Sequence, residues 1–213
     1  IVVVRNNGSI EGRYRPSSEY PFHKAIYKNR PDIRAIVHAH PPALVSFSIV
    51  RKIPDTNIIP QAKYVCGGIG YAKYALPGSD ELGEVIASEF KQGFNAVIME
   101  NHGTVVGGSQ LRDAFQRFET LEFCARTIIY GNTIGEPNYL TDEEIEEFEN
   151  QIPSLLPELE TVEHPSDERA IREDIKRIVH RACSQGLMIS SYGTVSVRWK
   201  GPDFLITPTD VAR

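Results

Sequence analysis

The chain has 213 residues, 41% hydrophobic and 24% charged, with a formal net charge of -5. That composition suits a globular chain able to bury its own core and excludes a disordered or fibrous one. The negative balance, without clustered Lys or Arg, offers no attraction to nucleic acid or anionic lipid, and no apolar run approaches the roughly 20 residues of a membrane span. With no basic leader at Ile1-Val2-Val3-Val4, the expected setting is cytoplasmic, with neither nucleic acid nor membrane as partner. Cys66, Cys124 and Cys183 are odd in number and widely spaced, without a Cys-x-x-Cys pair, so apolar filler is expected rather than disulfides or a thiolate metal site.

In chain order, residues 1–5 read as a β-branched strand stopped by the turn sequence Asn6-Asn7-Gly8. Pro16-Ser17-Ser18 leads into a helix from Glu19 to Asn29, with Phe22, Ala25 and Ile26 on one face and Pro31 beyond its end. Arg34 to His40 reads as a strand; Pro41 and Pro42 end it and open a helix to Ile49, because proline's fixed φ suits a first helical turn. The stretch that follows, up to Gly78, reads as loop. It includes Gly67-Gly68-x-Gly70, which lacks the strand-to-helix context and lysine of a nucleotide loop, and Tyr64, Tyr71 and Tyr74, expected as packed side chains.

Ser79-Asp80-Glu81 caps a helix to Lys91, and Ala96 to Met99 and Thr104 to Val106 read as strands. The longest helix starts at Ser109 and ends near Gly131, with Leu111, Ala114, Phe115, Phe118, Leu121, Glu122 and Ala125 on its packing face. Leu140-Thr141-Asp142-Glu143-Glu144 caps a short acidic helix to about Gln151. Three prolines, Pro153, Pro157 and Pro165, mark a linker, and a helix from Asp167 to Gly186 and strands over Thr194 to Trp199 and Phe204 to Ile206 follow.

Alternate side chains of a strand share a face, so His38 and His40 aim two imidazoles at one point. Neutral imidazole suits zinc, and open catalytic zinc sites take three protein ligands. His102 is the best third ligand, because Glu100-Asn101-His102-Gly103 follows an apolar strand and lies at its end. Glu19, in the first turn of its helix, reads two ways: as an acid/base group, or as a partner for the helix dipole with serine as cap. His23, His164 and His180 are read as core or interface histidines.

Pro16-Ser17-Ser18-Glu19, His38-Ala39-His40 and Asn101-His102-Gly103, in this order and spacing, resemble the class II aldolase/adducin family, with the likeness extending to Leu140-Thr141-Asp142-Glu143-Glu144-Ile145. The resemblance implies a three-layer α/β/α fold with a central, mainly antiparallel sheet. It implies that His38, His40 and His102 bind zinc, that Glu19 shuttles a proton, that Ser17 and Ser18 hold a substrate phosphate, and that the protein is a fourfold-symmetric tetramer. The reaction it implies is reversible cleavage of a ketose 1-phosphate; a methylthioribulose-1-phosphate-like dehydratase, a sugar-phosphate epimerase and a non-enzymatic adducin-like interaction module are the alternatives.

Two motifs that the family carries ahead of this region stand here after the linker, as Gly193-Thr194-Val195-Ser196-Val197-Arg198 and Ile206-Thr207-Pro208-Thr209-Asp210. The expected division is therefore a class II aldolase-like domain over 1–152, a linker over 153–166, and over 167–213 the first segment of a second domain, in a tandem protein or a permuted one. By resemblance, Gly193, Thr194, Thr209 and Asp210 join the phosphate pocket. Thr194 stands where asparagine is usual and Asp210 where glycine is usual, and the charge of Asp210 opposes a phosphate.

Overall fold

A computed structural model describes residues 1–151 and 164–208. The chain divides into two compact units, Ile1–Asn138 and Tyr139–Arg213. The expected linker falls outside the described residues as far as 163, and so do Thr209, Asp210 and Arg213.

The first unit opens with a hairpin of β1 (Val3–Val4) and β2 (Ile10–Glu11), in register Val3 to Glu11 and Val4 to Ile10, tied by a two-pronged Arg5–Glu11 contact at 2.9 and 2.8 Å. Then follow α1 (Tyr20–Asn29), β3 (Ala35–Ala39), α2 (Pro42–Ile49), α3 (Pro60–Cys66), β4 (Ile69–Ala72), α4 (Asp80–Lys91), β5 (Ala96–Met99), β6 (Gly103–Gly108) and α5 (Leu111–Ile134). The main sheet has the order β3-β6-β5-β4. Its β3/β6 and β6/β5 pairs are antiparallel and its β5/β4 pair parallel, so the sheet is mixed with antiparallel pairing in the majority.

All four residues of β5 are buried, as a continuous apolar run should be when both faces of a strand are covered. Val97, Met99 and Val105 meet Phe22 and Ile26 of α1 and Leu82, Ile86 and Phe90 of α4. Ala96, Ile98 and Val106 meet Leu44 of α2, Cys66 of α3, and Leu121 and Ala125 of α5. Each large side chain so buried contributes about 1.5–3 kcal/mol relative to exposure. As expected, Ser79 caps α4, its hydroxyl accepting from the Leu82 amide at 3.1 Å.

The stretch expected to be loop instead holds a 3-10 turn, Thr56–Ile58, together with α3 and β4. Both elements are too short for periodicity to reveal: α3 starts on Pro60 and stops at Gly67, whose φ of 64° is the left-handed value glycine adopts freely. The glycines nearby make room for a ring rather than a phosphate. A Cβ at Gly68 would lie 3.1 Å from Phe94 Cε1, and one at Gly70 2.9 Å from Phe94 Cδ2.

Three further expectations are corrected. Helix α5 is capped by a reciprocal Gln110–Asp113 arrangement rather than by Ser109 and runs on to Ile134. Leu111 and Phe115 are 66% and 52% exposed, because the buried stripe follows Ala114, Leu121, Ala125 and Ile128, a helical spacing that leaves 111 and 115 outside it. Tyr64 and Tyr74 are exposed, whereas Tyr71 is packed and donates its hydroxyl to the Ser48 carbonyl at 3.2 Å. Cys66 and Cys124 are buried as expected and Cys183 half-buried.

The second unit contains α6 (Asp142–Gln151), α7 (Ser166–Ser184) and a hairpin of β7 (Ser196–Arg198) and β8 (Phe204–Ile206) with Val197 opposite Leu205. Thr141 caps α6 in a reciprocal box with Glu144. On α7, Ile175 and Val179 are buried, and Glu168 is held by His164 and Arg172 at 2.8 and 2.6 Å. Among the described residues, no helix is long and apolar enough to cross a membrane.

Candidate metal centre

β3 places His38 within its pairing to β6 and leaves His40 just beyond the last paired residue, Ala39. The two imidazoles emerge on the sheet face covered by α1, where the Phe22 ring packs edge-on to His38 at 5.2 Å. The turn from β5 to β6 is tight, and Asn101 takes φ 55°, a left-handed value that asparagine tolerates better than most residues. That turn brings His102 to the same point. Ring centroids lie 4.8 Å apart for His38–His40, 5.2 Å for His38–His102 and 5.0 Å for His40–His102. One nitrogen from each ring lies within 4.8 Å of the others, a span that one ion bridges after small side-chain rotations.

Gly103 makes this approach possible. A Cβ there would stand 2.6 Å from both the Ala39 carbonyl oxygen and His40 Cδ2. Glu100, at the start of the turn, accepts from the Tyr74 amide at 3.0 Å and pairs with Arg51 at 2.5 Å, tying two neighbouring loops to the segment that carries His102.

The tautomer of His38 is set by its neighbour. Its Nδ1 lies 3.1 Å from the Thr104 carbonyl, which can only accept, so Nδ1 carries the hydrogen and the lone pair is on Nε2. That Nε2 is buried and without a hydrogen-bond partner. Burial pushes the His38 pKa down to about 4; the Thr104 bond opposes this and the neighbouring imidazoles add to it. Burial also lowers the His102 pKa, against the opposing charge of nearby Glu19. A neutral His38 with a fixed tautomer and an orphaned buried nitrogen fits a metal ligand, and three converging imidazoles are a donor set for a borderline-soft divalent ion such as zinc.

Glu19 occupies the N-cap of α1, yet its side chain makes no capping hydrogen bond. Its amide donates to Ser17 Oγ at 3.2 Å, while its Oε2 is buried and unpartnered. The carboxylate is therefore not consumed in starting the helix and stays available beside His102. Ser17 and Ser18, just before Glu19 in the chain, are exposed, and a Cβ at Gly78 would lie 3.1 Å from the Ser18 carbonyl oxygen. His23 stacks on Phe22 at 4.6 Å, where burial lowers its pKa.

His38, His40, His102, Glu19, Ser17 and Ser18 thus all belong to the first unit. Gly193 and Thr194 belong to the second, where Gly193 has φ 92° and precedes a strand secured by the Val195 amide on Thr207 Oγ1 at 3.2 Å. The sequence carried a signal for the Asn101 turn, since Asn before His-Gly is a residue that tolerates positive φ. It carried none for the Thr104 carbonyl or for the Arg51–Glu100–Tyr74 tie, which join residues far apart in the chain.

The profile of the class II aldolase and adducin N-terminal domain matches residues 1–129, which include all three histidines and Glu19. The chain belongs to the class II aldolase/adducin family. Within this family it is 35% identical over 155 residues to 3-oxo-tetronate 4-phosphate decarboxylase of Haemophilus influenzae, covering 70% of this chain and 72% of that protein. It is 32% identical to 5-deoxy-D-ribulose 1-phosphate aldolase of Bacillus thuringiensis serovar kurstaki, covering 68% of each. Among solved class II aldolase structures, an L-fuculose 1-phosphate aldolase superposes with a TM-score of 0.63 at 34% identity over 71% of both chains.

Proposed function

We propose that this class II aldolase relative is a metal-dependent lyase in which His38, His40 and His102 hold one divalent ion, zinc by preference, and Glu19 is the acid/base. The proposed reaction is reversible cleavage of a ketose 1-phosphate to dihydroxyacetone phosphate and an aldehyde. The observation that carries it is a three-histidine cluster in which Nε2 of His38 is buried without a partner, with Glu19, whose Oε2 is likewise buried and unpartnered, close enough to His102 to act on its charge. The aldolases among the relatives, named for phosphorylated sugars, support the substrate class.

The ion, when bound, supplies a positive charge that polarises a substrate carbonyl and weakens the adjoining carbon–carbon bond. Cleavage leaves an electron pair on carbon, and a proton must be moved there and back as the reaction runs in either direction. Glu19 is the carboxylate placed to do this. Thr104 keeps His38 in one orientation by accepting from Nδ1–H, and burial keeps the ring neutral. Ser17 and Ser18 are assigned the substrate phosphate. A cytoplasmic homotetramer, its sites built on the three-layer fold, belongs to the same reading.

Decarboxylation is a second reading, favoured by the 35% identity to the 3-oxo-tetronate 4-phosphate decarboxylase. It too breaks a carbon–carbon bond near a carbonyl and ends with protonation at carbon, so the residue roles stay and only the substrate changes. Metal per chain, measured after loading with zinc, is expected at one. Dihydroxyacetone phosphate released from ketose 1-phosphates is then compared with carbon dioxide released from 3-oxo-acid phosphates. Glu19→Gln should retain the ion and lose about 100-fold or more in turnover; full rate in that variant, or no bound metal in the wild type, refutes the proposal.

A further inference from the structure

A helix start leaves four backbone N–H groups without partners inside the helix. In α2 these belong to positions 41 to 44, and Pro41 and Pro42 have no N–H to leave unpaired. Only Ala43 and Leu44 remain. Both donate to one carboxylate, that of Glu122 in α5, at 3.3 Å to Oε1 and 3.1 Å to Oε2, although 78 or more residues separate them in the chain. Pro41, extended at φ -69° and ψ 138°, supplies no cap of its own. Glu122 is only 8% exposed, and Arg126 one turn further on balances its charge at 2.9 Å.

Two residues upstream of α2 stands His40, which lies past the last paired residue of β3 and therefore lacks the sheet's grip. Between the Glu122 anchor and His40 the chain is Pro41-Pro42, whose φ angles the rings lock. With both φ angles fixed, fewer backbone torsions are left to absorb a displacement at Ala43 before it reaches His40. His40 in turn sits flush on Gly103, with no slack on its other side.

The geometry points to Glu122 as a positioning residue for the metal centre: by fixing both free amides at the start of α2, it sets His40 through the Pro41-Pro42 lever. This rests on the reading of His38, His40 and His102 as metal ligands. Glu122 touches neither metal nor substrate and acts only through the backbone. Its position on the buried stripe of an amphipathic helix, between Leu121 and Ala125, is otherwise a poor place for a carboxylate.

The test compares Glu122→Gln, which keeps one acceptor and turns the other into a donor facing an N–H, with Ile86→Ala, a cavity in α4 on the sheet face away from Glu122 and shared with the histidines. Zinc affinity by chelator competition, thermal midpoints, and hydrogen exchange of the Ala43 and Leu44 amides in metal-free protein are read together. Glu122→Gln is expected to weaken zinc about 10–100-fold and to speed exchange at both amides, while Ile86→Ala lowers the midpoint but holds zinc within about twofold. Wild-type affinity in Glu122→Gln, or an equal loss in Ile86→Ala, overturns the inference. If Glu122→Gln does not fold, Pro42→Ala, which loosens the lever and adds an unpaired N–H, should still weaken zinc, and unchanged affinity there overturns it as well. A wild type that binds no zinc sinks the metal reading and this inference with it, whereas zinc-binding wild type with unaffected variants sinks this inference alone.

Discussion

Replacing Gly103 by alanine places a methyl carbon 2.6 Å from the Ala39 carbonyl oxygen and 2.6 Å from His40 Cδ2. Ordinary carbon contacts begin at about 3.5 Å, roughly 0.9 Å longer, so something must move by about that much. The Ala39 oxygen belongs to the β3 backbone, which is paired to β6 through Ala39 and Thr104 and cannot retreat without breaking the ladder. The His40 ring is the softer neighbour. Over-packing of this kind costs about 1–3 kcal/mol, which at about 2–4 °C per kcal/mol lowers the melting temperature by several degrees.

The larger effect of Gly103→Ala falls on metal binding. Ligand atoms must sit within about 0.2 Å of their proper distances, so a His40 displaced by several tenths of an ångström should weaken zinc about 10-fold or more. Thermal unfolding with and without zinc, and chelator competition, measure both effects. Gly135→Ala is the control, because a Cβ there meets nothing within 4 Å and the residue's φ of 173° is ordinary extended backbone. It should change stability by less than about 0.5 kcal/mol. A Gly103→Ala protein with wild-type melting and wild-type zinc affinity would show that the close approach of β3 and the His102 turn does not hold the centre together.

The left-handed Asn101 predicts that Asn101→Gly is nearly neutral in denaturant melts, whereas Asn101→Val costs about 1–2 kcal/mol and weakens zinc by turning His102. Cys66 and Cys124, buried and pushed up to about 12, should resist iodoacetamide in the native protein at pH 8, while half-buried Cys183 is alkylated first; mass spectrometry of the labelled peptides decides. Because the folded state holds those two thiol protons after the unfolded chain has released its own near pH 9, their stabilisation is intact below about pH 9. It falls between about 9 and 12 by up to about 1.4 kcal/mol per pH unit for each thiol. Replacing both cysteines by alanine should flatten that alkaline slope in urea unfolding, and an unchanged slope would rule the two thiols out as its source.

Much of the site was legible in one dimension because the physics that makes it is local. The alternation of a strand aims His38 and His40 the same way, and a turn of Asn-His-Gly composition presents a histidine at a strand end whatever the rest of the fold does. The helices of α1, α2 and α4 were equally legible, each with its own cap, proline or apolar period. Helix α3 and strand β4 were not, since elements of seven and four residues have too few turns to show a period, and their glycines are explained only by the Phe94 ring lying against them.

By itself the sequence singled out the candidate side chains: three histidines whose placement suits a metal-ligand set, and a glutamate at a helix start. Only the tertiary structure decided their state. The His38 tautomer depends on a carbonyl 66 residues away, and the freedom of the Glu19 carboxylate depends on a helix start that does without it. The setting of His40 depends on a glycine in another strand and a carboxylate in α5. These contacts join distant parts of the chain, and a hydrogen bond or a van der Waals gap leaves no trace in the pattern of residues near either partner.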